Sequence, residues 1–184
     1  MIRFRHVTRH GRYYRVCDPR WQDCSDPSFS KRYGGRWNPP GEFGALYLCR
    51  TLAVAAANAR ENFALEIHSL YDLKPQFRPI IIEFTIPSTP ARTFVDAVSD
   101  EGLVALGLPE TYPLARNDAV SHGTCRSIGR AAYARAERGI ACRSAAEAQR
   151  GPWPGEELAL FDRSVGIART GRKRAFSDWY PAAS

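Results

Sequence analysis

The sequence contains no long run of apolar residues, although 44% of its 184 residues are hydrophobic. Its longest apolar stretches, such as 52–57 and 80–82, are far shorter than the roughly 20 residues that cross a bilayer. The basic N-terminus is not followed by an apolar stretch, so it does not resemble a secretory signal. We therefore expect a cytoplasmic protein without a membrane span, and the length favours one domain over two.

Cysteine is too scattered for a disulfide framework or a zinc site. The five cysteines are odd in number and never form a CxxC motif. The four histidines likewise show no spacing typical of a metal site or a catalytic triad. Free thiols in a reducing compartment are therefore expected, and no bound metal is predicted.

Lysine is also scarce, since arginine outnumbers it 23 to 3 in a chain of net charge +7. Residues 1–36 contain nine basic and three acidic residues, so this segment alone carries +6. Because guanidinium groups bind phosphate oxygens in pairs of hydrogen bonds, the expected partner is anionic. A small phosphorylated molecule and a nucleic acid both fit. The basic cluster 169–174 and the aromatic residues near the N-terminus support a nucleic-acid-binding module, but the sequence has no recognisable motif of that class.

The order of apolar and turn-forming segments predicts a single mixed α+β domain over residues 1–184. Strands are predicted at 12–16, 45–48, 79–86, 140–143 and 158–161, and helices at 51–64 and 117–138. Thr51 has the chemistry of a helix N-cap. Residues 18–38 are rich in Asp, Ser, Pro and Gly, which predicts a long loop, and the basic, polar residues 169–184 predict an edge strand or tail.

The most informative segment is 33–41, with the sequence YGGRWNPPG. Its two glycines let the main chain approach a ligand closely, and its prolines make the loop rigid. Arg36 is suited to pair with the phosphates of a nucleotide, and the Trp37 ring to pack on a planar base. The alternative is a tight turn in which Trp37 anchors the loop in the core.

Together with the strand ALYL at 45–48, the alanine-rich helix after it and Ser144 after a later strand, this motif resembles the RES-domain family. The similarity runs from about residue 14 to residue 161 and is strongest over 14–66 and 139–162. The resemblance implies a fold like that of ADP-ribosyltransferases, with a split β-sheet core and flanking helices. It also implies an enzyme that consumes NAD, by hydrolysis, by phosphorolysis or by transfer of ADP-ribose to a protein target.

Many members of this family are bacterial toxins of toxin–antitoxin pairs. The resemblance therefore implies a small DNA-binding antitoxin encoded nearby, and a homodimer within the complex is compatible with it. It also implies roles for individual residues. Arg15 and Arg36 would face the pyrophosphate, Tyr47 would stack on the nicotinamide, and Ser144 would bond the nicotinamide amide or a ribose hydroxyl. The usual Pro-Ser pair at the last position is Arg143-Ser144 here, so that match is partial.

The sequence departs from the family at the glutamate, whose position falls on Asn58. Loss of nicotinamide leaves positive charge on the ribose, which a carboxylate stabilises and a neutral amide does not. Three interpretations stay open: Glu61, three residues further along the same helix, supplies the carboxylate; Asn58 suffices with reduced or altered activity; or catalysis is lost. Glu156 and Glu157, before the strand at 158–161, are weaker candidates for the same role.

Overall fold

The computed structural model describes residues 2–63, 69–88, 93–113, 119–146 and 155–182, apart from the side chains of residues 119–121. These ranges contain eight strands and four α-helices. They are β1 (His6–Thr8), β2 (Gly11–Cys17), α1 (Ser28–Tyr33), β3 (Ala45–Cys49), α2 (Leu52–Phe63), β4 (Ile80–Ile86), β5 (Thr93–Ala97), α3 (Asp100–Leu106), α4 (Ala119–Ala134), β6 (Gly139–Arg143), β7 (Glu156–Phe161) and β8 (Arg169–Arg174).

The strands form one sheet in the order β1-β5-β6-β7-β3-β2-β4-β8. The β5–β6 pair is parallel, and the other neighbours are antiparallel. β2 pairs with β4 along its whole length, but with β3 only where Tyr14 faces Cys49. The sheet is therefore nearly divided between β2 and β3, which agrees with the split core that the resemblance implies.

Apolar residues cover both faces of this sheet. On one face, β3, β6 and β7 pack against α4 around the buried residues Phe43, Ile128 and Phe161. On the other face, Leu46, Leu158 and other strand residues form a second cluster. Helix α2 lies against β2 and β3 through small residues, chiefly alanines, and short side chains let a helix approach a sheet closely. That approach carries the polar face of α2 towards the gap between β2 and β3.

Most of the predicted elements are confirmed, and so is the mixed α+β class. The strands predicted at 12–16, 45–48, 79–86, 140–143 and 158–161 correspond to β2, β3, β4, β6 and β7. The predicted helices correspond to α2 and α4, and the Thr51 hydroxyl accepts a hydrogen bond from Val54 N at 3.2 Å, as an N-cap does. The predicted ends at 64 and 117–118 lie outside the described residues. The edge strand predicted near the C-terminus is β8.

The long loop predicted at 18–38 is wrong in part, because it contains the short helix α1. Asp26 accepts hydrogen bonds from Ser28 before this helix, and Gly34, with a φ of 75°, ends it. Strands β1 and β5 and helix α3 were not predicted. Each is short, and β5 depends on hydrogen bonds from β1 and β6, which are distant in sequence. No helix in the described ranges is both long and apolar enough to span a membrane.

Candidate active site

A cavity of about 710 Å³ lies where β2 and β3 separate. Its walls come from β2, the loop 34–37, β3, α2, the start of α4 and the ends of β6 and β7. This volume is typical of sites for small molecules and cofactors. Six of the seven residues predicted for the site line it: Arg15, Arg36, Trp37, Tyr47, Asn58 and Glu61.

The loop 34–37 owes its path to close packing against β3. A Cβ atom on Gly35 would overlap the Tyr47 hydroxyl and the Asn38 side chain. Gly35 N donates a hydrogen bond to Asn38 O at 2.9 Å, and Gly35 O accepts one from Arg126 of α4 at 2.9 Å. Glycine is therefore required here by contact with Tyr47, and the loop is fixed to both the sheet and a helix.

Asn38 and Tyr47 form the polar centre of this loop. Asn38 is fully buried and donates from Nδ2 to Ser30 O at 2.7 Å and to Phe43 O at 3.0 Å. The Tyr47 hydroxyl donates to Asn38 Oδ1 and accepts from Trp37 N, both at 2.9 Å. Burial raises the pKa of Tyr47 well above its usual range, so the hydroxyl stays protonated. The hydroxyl is therefore engaged within the loop, and Tyr47 also lines the cavity.

Trp37 borders the cavity, but its indole is completely buried in the core. The ring lies 5.9 Å from that of Tyr112, and a Cβ atom on Gly129 of α4 would overlap the Trp37 carbonyl oxygen. The prediction that this ring packs on a base is therefore wrong. The alternative, an aromatic anchor for the loop, describes the structure because a ring of this size gains most from complete burial.

One wall of the cavity is basic. Arg15 is only 7% exposed, and its guanidinium donates to Cys24 O at 2.6 Å and more weakly to Asp26 O. It also lies 5.4 Å from the centre of the Trp21 ring. Burial lowers the pKa of Arg15, yet an arginine stays charged in proteins. Since its hydrogen bonds within the described residues go to carbonyl oxygens rather than carboxylates, the positive charge is not neutralised by direct pairing.

Arg36 contributes to the same basic environment. It lines the cavity from the loop 34–37 and is partly exposed. Burial raises the pKa of Cys142 and of Tyr47, and the charge of Arg36 opposes both increases. The positive charge of Arg36 is therefore felt by Cys142 and Tyr47, which line the same cavity.

The opposite wall carries an amide and a carboxylate. Asn58 of α2 donates from Nδ2 to Glu157 Oε1 of β7 at 2.9 Å. Glu157 faces Cys49 on one neighbouring strand and Cys142 on the other. Burial and then the negative charge of Glu157 raise the pKa of both thiols. These cysteines are therefore protonated at neutral pH and are poor nucleophiles.

Two other predicted residues occupy different positions. Glu61 lines the cavity beside Asn58. Ser144 is buried outside the lining, and its main-chain N–H donates to Gly155 O at 2.9 Å. Arg143, which replaces the usual proline, donates to Val98 O at 2.8 Å and to Asp100 Oδ1 at 2.5 Å. The Arg143 side chain therefore holds the start of α3 and the segment before it by hydrogen bonds.

Sequence reasoning underrated some residues of the site. Glu157 was a weak candidate, although the alternation of β7 places it on the same face as Ala159 and Phe161, towards the cavity. The spacing of the histidines indicated no site, but His122 lies in α4 and lines the cavity. None of the five cysteines forms a disulfide bond. Among the described residues, no three His, Cys, Asp or Glu side chains are grouped to hold a metal ion.

Comparisons with known proteins agree with this architecture. Residues 12–177 match the RES domain family, a longer range than the sequence motifs alone suggested. A search of curated proteins finds no match. The crystal structure of the M. tuberculosis MbcT–MbcA toxin–antitoxin complex contains a similar chain, with a TM-score of 0.73 and 18% identity over 92% of this chain and 86% of that one. With its match extending over most of the sequence, this chain belongs to the RES domain family.

Proposed function

We propose that this protein is an enzyme that cleaves the nicotinamide–ribose bond of NAD and serves as the toxin of a toxin–antitoxin pair. The observation that carries the proposal is the polarity of the cavity, with Arg15 and Arg36 on one wall and Glu157 with Asn58 on the other. NAD has matching parts, since it joins an anionic pyrophosphate to a ribose that becomes cationic when nicotinamide leaves. Membership of the RES domain family supports the same assignment.

Each wall has a distinct task in this proposal. Arg15 and Arg36 bind the pyrophosphate through charge-assisted hydrogen bonds. The ring of Tyr47 stacks on the nicotinamide, because its hydroxyl is held by Asn38 and Trp37. Ser144 lies beside the cavity wall rather than in it and is given no contact with the substrate.

The reaction breaks the bond between ribose C1′ and the pyridinium nitrogen. The electron pair of that bond leaves with nicotinamide, which becomes neutral, and positive charge develops on the ribose. A nearby anion stabilises that charge. Water, phosphate or a protein side chain then bonds to C1′ and loses a proton to solvent. The products are ADP-ribose, its 1″-phosphate or an ADP-ribosylated protein, respectively.

An enzyme with this activity consumes the NAD of its own cell, so an inhibitory partner is part of the proposal. The structural neighbour from M. tuberculosis was crystallised as a toxin–antitoxin complex. Beside the cavity, Phe29 and Tyr33 are 55% and 58% exposed, and their rings are 4.7 Å apart. Exposed aromatic pairs of this kind are typical of protein-binding surfaces. An antitoxin, expected to be a DNA-binding protein encoded nearby, would close the cavity by covering this rim.

Ion pairs of the basic residues weaken the alternative of a nucleic-acid-binding module. Arg9 is bound by Glu156 at 2.5 and 2.7 Å, and Arg20 by Asp18 at 2.5 Å. Arg174, in the C-terminal basic cluster, pairs with Glu83. Part of the positive charge that suggested a polyanion is therefore already neutralised within the chain.

The test is release of nicotinamide from NAD by the purified protein, with and without phosphate. We expect release by the wild type, and product analysis with added phosphate distinguishes hydrolysis from phosphorolysis. With NAD radiolabelled in its adenine, label that is found on a protein instead of in the small-molecule products would identify a protein acceptor. Intact NAD, together with DNA or RNA binding that weakens steeply with salt, would contradict the proposal and favour the nucleic-acid module.

A further inference from the structure

Among the described residues the cavity lining contains three carboxylates, Asp18, Glu61 and Glu157, of which Asp18 pairs with Arg20. Position 58, in the same lining, carries an amide. Resting on the function proposed above, we infer that Glu157 is the carboxylate that faces the reacting ribose and that Asn58 is the residue that positions it. Glu157 lies on β7 and Asn58 on α2, and Asn58 Nδ2 donates a hydrogen bond of 2.9 Å to Glu157 Oε1.

A hydrogen bond from Asn58 orients the Glu157 carboxylate. Asn58 Nδ2 lies 2.9 Å from Glu157 Oε1 and makes longer contacts to Val54 O at 3.4 Å and to Cys49 Sγ at 3.5 Å. Within the described residues, Asn58 is the one hydrogen-bond donor to Glu157. Because a carboxylate has two oxygens and about four acceptor sites, one bond orients it and leaves capacity for a ligand.

Glu157 lies on the same face of the sheet as Tyr47, one residue pair further along β3 and β7. Tyr47 faces Ala159 across the β3–β7 pair, and the next pair on the same face is Cys49 with Glu157. Two residues along a strand correspond to about 7 Å. A nicotinamide stacked on Tyr47 therefore has its ribose within reach of the Glu157 carboxylate.

The main-chain setting of Glu157 is more rigid than that of Glu61. Glu157 lies in a strand that is paired on both sides, with Cys49 in β3 and with Cys142 in β6. Glu61 lies in helix α2, which packs on the sheet through side chains. Electrostatic stabilisation is strongest when the charge is fixed before the reaction, because no energy is then spent on reorganisation. A strand within the sheet meets that condition better than a helix packed on it.

The pair also explains why an amide at position 58 is compatible with activity. A glutamate at 58 beside Glu157 would bring two negative charges together, and each would disfavour ionisation of the other. An amide at 58 donates a hydrogen bond to Glu157 without adding a second negative charge. The two positions therefore form a matched set, in which the acid is needed at one of them and a donor at the other.

The experiment compares kcat and KM for nicotinamide release, with NAD binding measured separately by calorimetry. The variants are Glu157→Gln, Glu61→Gln, Asn58→Glu and the double variant Asn58→Glu with Glu157→Asn. Glu156→Gln is the matched control, because Glu156 is next to Glu157 in β7 but its carboxylate pairs with Arg9. Thermal unfolding establishes that each variant is folded.

We expect Glu157→Gln to lower kcat by about 100-fold or more while the Kd for NAD changes only a few-fold, as is typical for loss of transition-state stabilisation. Glu61→Gln should lower kcat by less than about tenfold, and Glu156→Gln should resemble the wild type. Asn58→Glu should be impaired, and the double variant should recover at least about tenfold over Glu157→Gln. A purely structural role for Glu157 would not produce that recovery.

Two contrary results have different meanings. A wild type that cleaves NAD, with Glu157→Gln equally active or with the large loss in Glu61→Gln, overturns this inference and leaves the proposed function standing. A folded wild type that neither binds nor cleaves NAD overturns the proposed function and this inference together. Should Glu157→Gln not fold, the double variant decides: activity above that of Asn58→Glu supports the exchange of positions, and equal or lower activity contradicts it.

Discussion

The two walls of the cavity are built in different ways. Apart from Arg15 of β2, the loop wall is assembled from residues close in sequence, from Gly35 to Tyr47, and is held by main-chain and buried side-chain contacts. The opposite wall depends on Asn58 and Glu157, which are 99 residues apart and meet through one hydrogen bond. The loop wall is therefore specified by a local motif, and the opposite wall by the topology of the sheet.

The largest effect on the loop wall should come from Gly129→Ala in α4. The added Cβ would overlap the carbonyl oxygen of Trp37, so either the helix or the loop must move. We expect a loss of about 3 kcal/mol in the free energy of unfolding and a parallel loss of NAD binding. Chemical denaturation and calorimetry measure the two quantities.

Gly123→Ala is the control in the same helix, since a Cβ atom there meets nothing within 4 Å. Alanine has the higher helix propensity, so this variant should gain roughly 0.5–1 kcal/mol. Equal stabilities of the two variants would show that contact with α4 does not fix the loop wall.

A smaller effect is expected for Tyr47→Phe. Removing the hydroxyl leaves Asn38 Oδ1 and Trp37 N without their hydrogen bonds, which should cost about 2 kcal/mol of stability. The ring remains, so kcat/KM at a temperature where the variant is folded should fall by less than about tenfold. Tyr33→Phe, at an exposed site, should change neither quantity. A loss of kcat above 100-fold without a loss of stability would instead place the hydroxyl on the substrate.

The difference between the walls also explains what could be predicted from the sequence. The strands β2, β3, β4, β6 and β7 were predictable because each has a clear apolar pattern, and the YGGRWNPPG motif led to the cavity through Arg36 and Tyr47. The role of Trp37 was not predictable from its type alone, because a tryptophan beside glycines suits both stacking and anchoring. The burial of Trp37 depends on its packing against α4, a helix that is distant from Trp37 in the sequence.

The carboxylate shows the same limit more clearly. The helical spacing directed attention to Glu61, three residues after Asn58, because neighbours on one helix are visible in the sequence. Glu157 reaches Asn58 only because β7 pairs with β3, and that pairing is not encoded near either residue. Ser144 was placed by the motif but lies outside the cavity lining, although its neighbours Arg143 and Ala145 are part of that lining.

In this account the loop wall binds NAD and the opposite wall stabilises the reacting ribose. The most direct test of that division is the steady-state kinetics of NAD cleavage by Arg36→Ala and Glu157→Gln. We predict that Arg36→Ala raises KM for NAD by about tenfold or more with a smaller change in kcat, while Glu157→Gln does the reverse. The same pattern in both variants, or a folded wild type that leaves NAD intact, would contradict this division of the cavity.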